Sequence, residues 1–187
     1  FILHMVKTIK EKYPDILEEF NSRVLIPERI PRVHFLEALK IADSYGVKDM
    51  DGDISPEGER VLCTHVEKET GSSFVYIIGY PISKRPMYTM PDDTCPGYTR
   101  SFDLLFKGLE VTTGGMRIHG YKMLWNNIKK FGCNPHEFTT YLQAFKFGMP
   151  PHGGLGMGLE RLTMQMLSLK NIREATLFPR DRNRITP

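Results

Sequence analysis

The chain has 187 residues, 41% of them hydrophobic and 25% charged, with a formal net charge of +3. That length fits one domain or a large piece of one, able to bury roughly two-thirds of its unfolded surface, and the composition excludes wholesale disorder. So mild a charge neither demands nor excludes a nucleic-acid partner, and no apolar run approaches the roughly 18–20 residues of a membrane span. The three cysteines, Cys63, Cys95 and Cys133, form no CxxC pair and no Cys/His metal spacing, which points to a reducing, cytoplasmic setting.

The elements follow in chain order. Ile2, Met5, Val6 and Ile9 share one helical face, and the apolar pattern resumes at Ile16, Leu17 and Phe20 after a break at Pro14. Pro27 and Pro31 mark a connection into a short extended piece, and a helix then spans about 35–45, stopped by Gly46. Asp49 to Ser55 lacks the glutamate and acidic spacing of an EF-hand and reads as a loop. Ser55 as N-cap, Pro56 at the first position and Glu57 and Glu59 in the first turn open a helix that Gly71 closes. Aromatic and β-branched residues from Ser73 form a strand, and alternation across 101–106 forms another. These strands follow one another through turns, which argues for an antiparallel sheet. Helices return at about 121–131 and, behind Asn134, at about 135–147. After the glycines 153, 154, 156 and 158 comes a last helix with Leu159, Leu162, Met166 and Leu169 on one stripe. The fold expected is α+β: an antiparallel β-sheet flanked by helices.

Three constellations carry candidate chemistry. In Gly108-Leu-Glu110-Val-Thr-Thr113-Gly-Gly-Met-Arg117, Glu110 offers hard oxygens suited to Mg²⁺ bridging phosphates, and Arg117 offers a planar fork for a carboxylate. A solvated sheet face with a Gly-Gly bulge explains the same residues. The glycine run ending in Gly158-Leu159-Glu160-Arg161 admits a flat ligand close to the backbone, with an arginine at a helix start for phosphate. It is neither a Walker loop nor a dinucleotide fingerprint, and a tight turn before a helix remains open. A third, the tail PRDRNRITP, offers Arg180, Arg182 and Arg184 to RNA or phosphate, although so short a charge run is usually a solvated face.

Taken in order, FDLLFKGLEVTTGGMRIH, MPPHGGLGMGLERL and FPRDRNRITP resemble the C-terminal half of a class II aminoacyl-tRNA synthetase catalytic core, and specifically archaeal-type aspartyl-tRNA synthetases. GLGMGLERL resembles motif 3 of that family. The resemblance implies a sheet holding ATP, Mg²⁺ and L-aspartate. By position, Glu110 would bind ATP and the metal, Thr113 the metal and aspartate, and Arg117 the aspartate side chain. Gly158, Leu159, Glu160 and Arg161 would line the ATP site, with Glu110 and Arg161 as the catalytic pair. A buried Arg117 would also exclude asparagine, because stranding a buried charge costs about 3–5 kcal/mol.

The implied reaction forms aspartyl-adenylate and pyrophosphate, then passes the aspartyl group to the 3′-terminal adenosine of tRNA. Two departures from the family pattern stand out. Met116 replaces a common glutamine, and strict alternation from Glu110 puts Thr112 rather than Thr113 on the same face, so Thr113 requires a bulge. The resemblance further implies that residues 1–187 are the C-terminal part of one class II catalytic domain, lacking the anticodon-binding domain and motifs 1 and 2. Such a piece is expected to be inactive alone and to come from a cytoplasmic homodimer. Alternatives are an asparaginyl-tRNA synthetase, a synthetase-like asparagine synthetase paralogue, or a non-catalytic nucleotide- or partner-binding module.

Overall fold

The computed structural model describes residues 1–48 and 53–186. The calcium-loop alternative at 49–55 therefore falls largely outside the described residues. Helix α1 (Ile2–Lys12) stops before Pro14, which starts α2 (Pro14–Glu19). Strand β1 (Arg32–His34) runs directly into α3 (Phe35–Ser44), and Gly46 beyond it takes a left-handed φ of 81°. The Ser55 hydroxyl accepts from the Gly58 amide at 3.1 Å to start α4 (Pro56–Thr70), and left-handed Gly71 ends it. Strands β2 (Phe74–Ile78), β3 (Ser101–Phe106) and β4 (Leu109–Arg117) follow, then α5 (Tyr121–Lys130), α6 (Thr139–Lys146), β5 (His152–Met157) and α7 (Leu159–Met166).

The strands form one five-stranded sheet in the order β1-β2-β3-β4-β5. It is antiparallel except for its first pair, since β1 runs parallel to β2. Helices α3 and α4 separate those two strands in sequence and supply the crossover that a parallel pair needs. β3 is central and covered on both faces, so nearly all of its residues are buried despite their alternation.

One face packs Phe74, Leu104, Phe106 and Val111 against α1, α2 and α7, with the Phe74 and Phe106 rings stacked at 4.2 Å. The other packs Val75, Ile77 and Leu105 against Phe35, Ala38, Leu62 and Val66 of α3 and α4. A third apolar cluster joins α5 and α6 to the 87–90 segment through Leu124, Ile128, Leu142 and Met90. Burying each such large apolar side chain contributes about 1.5–3 kcal/mol.

Three expected elements need correction. The helix expected over 135–147 begins as a 3-10 turn at Pro135–Phe138, set by Asn134 accepting from the His136 amide at 3.2 Å, and becomes α-helical only from Thr139. The stripe on α7 is shorter than expected: Leu162 and Met166 are buried, Leu159 is 65% exposed, and Leu169 lies past the helix end. The glycines 153, 154 and 156 are not a turn but belong to β5. A Cβ at Gly153 would sit 2.9 Å from the Gly115 carbonyl, and one at Gly114 would sit 2.8 Å from the Gly154 carbonyl. Close backbone approach, not β-propensity, makes this strand.

Candidate active site on the β3–β5 face

The site is organised by a bulge. Ser101 to Leu104 pair with Gly115 to Thr112 in step, but Leu105 pairs with Glu110, which leaves Val111 as an extra residue in β4. Val111 and Thr112 are both buried, and Val111 belongs to the α1/α7 core. Glu110 and Thr113 therefore flank the bulge on the opposite face, with Asp103 paired to Thr113, and ordinary alternation puts Gly115 and Arg117 there too. Thr113 needed a bulge to share the face of Glu110, and the bulge lies upstream of the glycines.

Glu110 and Arg161 meet directly. The Arg161 Nη1 donates to the Glu110 carbonyl at 2.8 Å and stands 3.8 Å from its Oε1, although Arg161 is 51 positions further along the chain. Gly158 caps α7, and a Cβ there would press on the Arg161 side chain at 3.3 Å. Leu159 and Glu160, expected beside them, are exposed to solvent at the start of the helix.

Thr113 and Arg117 line one cavity of about 480 Å³, together with Arg85, Tyr88, Gly154 and Gly156. Gly154 leaves room for Arg117, since a Cβ there would come within 2.8 Å of its guanidinium. Arg117 lies over the Tyr88 ring at 5.2 Å. It is exposed, which corrects the expectation of a buried arginine: it is the last residue of β4, its backbone still paired with His152 and its side chain at the open end of the strand. Desolvation of Arg117 would have to come with the ligand. Met116 also lines this cavity and packs against the α5/α6 cluster.

The buried arginine of the site is Arg85. Its Nη2 donates to Asp103 Oδ2 at 2.7 Å, its Nη1 to Thr113 Oγ1 at 3.1 Å, and its guanidinium lies 3.7 Å from the centre of the Tyr80 ring. The Thr113 hydroxyl donates to Asp103 Oδ1 at 2.5 Å. Arg85 Nε is buried without a hydrogen-bond partner. Burial, with the Asp103 charge and hydrogen bond next, pushes the Tyr80 hydroxyl pKa up.

Carboxylates crowd this corner. Burial first and the Asp103 charge second raise the pKa of Glu110, while Arg161 and Arg85 oppose the rise. Glu59, carried in by α4, is pushed up to about 7 by burial and then by Glu110 and Asp103, partly offset by Arg161 and the Glu110 amide. Sequence reasoning missed Arg85, Asp103, Tyr80, Tyr88 and Glu59. Asp103 did leave a signal, a lone carboxylate in an apolar strand. Glu59 read as an ordinary first-turn acid, and Arg85 sits in a segment with no periodicity to betray it.

The donor set fits Mg²⁺ of the phosphate-bridging kind. Among the described residues no tight group of three or more metal-ligating side chains exists. Glu110 with Thr113 and the nearby Asp103 nevertheless offer the one or two carboxylates and the hydroxyl that suffice when phosphates and waters complete the shell. A bound cation would offset both the burial and the lesser Asp103 repulsion that raise Glu110.

The sequence model of the family described as tRNA synthetases class II (D, K and N) matches residues 1–182. The chain is 47% identical over 161 residues to the aspartate–tRNA(Asp/Asn) ligase of Thermus thermophilus, covering 86% of this chain and 38% of that protein. It is 45% identical over 188 residues to the aspartate–tRNA(Asp) ligase of Picrophilus torridus, covering 100% of this chain and 43% of that one. Among solved structures, the aspartyl-tRNA synthetase of Entamoeba histolytica superposes with a TM-score of 0.90 at 33% identity, over 97% of this chain and 39% of its own. The asparaginyl-tRNA synthetase of Pyrococcus horikoshii gives 0.89 at 30% identity, over 100% and 45%. The chain thus spans less than half the length of these relatives. Motif order, sheet and relatives agree: the chain belongs to the class II tRNA synthetases of the D, K and N type.

Proposed function

We propose that this chain supplies the C-terminal part of the catalytic domain of an aspartate–tRNA ligase. The observation that carries the reading is one sheet face on which the Glu110–Arg161 pair lies next to a cavity holding Arg117, Thr113 and Arg85. The reaction needs little covalent work from the protein. The aspartate α-carboxylate attacks the α-phosphorus of ATP and pyrophosphate leaves; a hydroxyl of the terminal tRNA adenosine then attacks the activated carbonyl and AMP leaves. Arg161 would draw phosphate charge at the start of α7, and Glu110 and Thr113 would hold Mg²⁺, which when bound neutralises phosphate charge. Arg117, with Arg85 lining the same cavity, would receive the aspartate side chain.

Selectivity against asparagine then rests on losing hydrogen bonds to charged groups, about 1.5–3 kcal/mol each, or roughly ten- to 150-fold. This is smaller than a fully buried Arg117 would give. The aspartate names of the sequence relatives favour aspartate over asparagine as substrate. The same reading places the enzyme in the cytoplasm as a homodimer.

The test is ATP–pyrophosphate exchange by the longer protein that carries this chain, with aspartate and with asparagine. Exchange at least tenfold better with aspartate, with a raised aspartate KM in Arg117→Lys, is expected. Equal exchange with both amino acids would overturn the reading.

A further inference from the structure

A second charged cavity lies away from the Glu110–Arg161 pair, where the β3–β4 turn meets α4. It has a volume of about 510 Å³ and is lined by Arg23, Arg60, Lys68 and Lys107, with Glu67 as its one carboxylate. No acidic group lies within ion-pair distance of any of these four cations among the described residues. Glu67 itself accepts from the Ser73 hydroxyl at 3.1 Å.

Lys107 is the unusual member. It and Gly108 form the two-residue turn between Phe106 and Leu109, with φ of 49° and 80°. Two positive φ values make this the turn type that favours Asn-Gly or Gly-Gly, so a lysine in the first place is strained. The strain is accompanied by a second cost. The ammonium is half-buried, its one hydrogen bond is to the Gln165 carbonyl at 3.2 Å, and burial lowers its pKa. The turn packs closely on α4, since a Cβ on Gly108 would touch the Arg60 backbone at 2.9 Å. Strain and desolvation therefore coincide on one side chain facing a concave, mostly basic surface, where the Glu67 charge only partly offsets the burial. A bound anion would offset the electrostatic part of that cost, and a cavity of about 510 Å³ leaves room for a phosphate carried on a larger molecule while its several cationic donors suit the phosphate oxygens.

We propose that this cavity is a phosphate-binding site distinct from the ATP site, taking a phosphate group through Lys107, Arg60, Lys68 and Arg23. The inference goes beyond the proposed ligase reading and does not depend on it. The phosphate could belong to a free phosphorylated molecule or to an RNA backbone, and the experiment separates the two.

Thermal unfolding of the 187-residue chain is followed against inorganic pyrophosphate at constant ionic strength, in wild type, Arg60→Glu/Lys68→Glu, Arg161→Ala and Lys107→Gly. Pyrophosphate is expected to raise the melting temperature of wild type and Arg161→Ala, with at least tenfold weaker apparent affinity in the double variant. Lys107→Gly, which relieves the backbone strain, is expected to melt higher than wild type without anion yet gain less from pyrophosphate. Competition by a single-stranded RNA oligonucleotide assigns the phosphate to RNA; no competition assigns it to a small molecule. No stabilisation of wild type, or equal stabilisation of the double variant, overturns the site; failure of the ligase reading itself is read separately, as loss of pyrophosphate exchange in the longer protein carrying Arg161→Ala.

Discussion

Removing the Arg85 guanidinium strands a carboxylate. Asp103 has a side chain only 7% exposed, and in Arg85→Ala it loses its 2.7 Å ion pair while Thr113 loses a 3.1 Å bond. Taking one partner from a buried pair costs about 3–5 kcal/mol, a range that already contains the lost hydrogen bonds and the stacking on Tyr80. For a domain of this length each kcal/mol moves the melting temperature by about 2–4 °C, so the variant should melt roughly 6–20 °C lower. The assay is scanning calorimetry on wild type, Arg85→Ala, Asp103→Ala and the double variant. The double variant should recover much of the loss, because no charge is then stranded. A drop under about 2 °C in Arg85→Ala, or a double variant no better than the sum of the singles, would refute the reasoning.

Other predictions follow from the same geometry. Glu59 has a native pKa of about 7, above its ordinary value of 4.5. Its burial therefore destabilises the fold fully above pH 7, and this loss fades as pH falls toward 4.5. Glu59→Gln should thus melt higher than wild type at pH 8 and show a flatter pH dependence between pH 8 and pH 5; parallel curves in chelator-treated samples would contradict the assignment. Gly115→Ala should destabilise strongly, since its Cβ would meet the Arg100 carbonyl at 2.8 Å, whereas Gly154→Ala should fold and mainly displace the movable end of Arg117. Calorimetry of both, with aspartate titrated into the second, distinguishes a backbone clash from a side-chain one, and equal melting temperatures would contradict this. Glu110→Gln should raise the Mg²⁺ concentration needed for half-maximal pyrophosphate exchange in the longer protein; an unchanged requirement removes Glu110 as a ligand.

Much of the fold was legible because local chemistry and tertiary structure agree. Pro14, the Ser55–Pro56 cap and the left-handed glycines 46 and 71 punctuate helices as their physics requires. β5 was hidden because its glycines serve contacts with β4 and Arg117 that no local window contains. Glu110 and Arg161 stood out as charges inside distinctive runs, and the bulge that puts Thr113 on the face of Glu110 was required by their spacing yet not located by it. The exposure of Arg117 reverses the sequence-based expectation of a buried arginine, while the sequence carried no expectation for the buried Arg85. Arg85 lies in an aperiodic segment, and only the fold brings it over Tyr80 and onto Asp103.

The most direct measurement is a crystal structure of this chain with a non-hydrolysable aspartyl-adenylate analogue. The adenosine and phosphate should lie against Glu110 and Arg161, and the aspartyl carboxylate in the cavity between Thr113, Arg117 and Arg85. An analogue bound elsewhere on the chain, or one that leaves Arg117 and Arg161 untouched, would contradict the account.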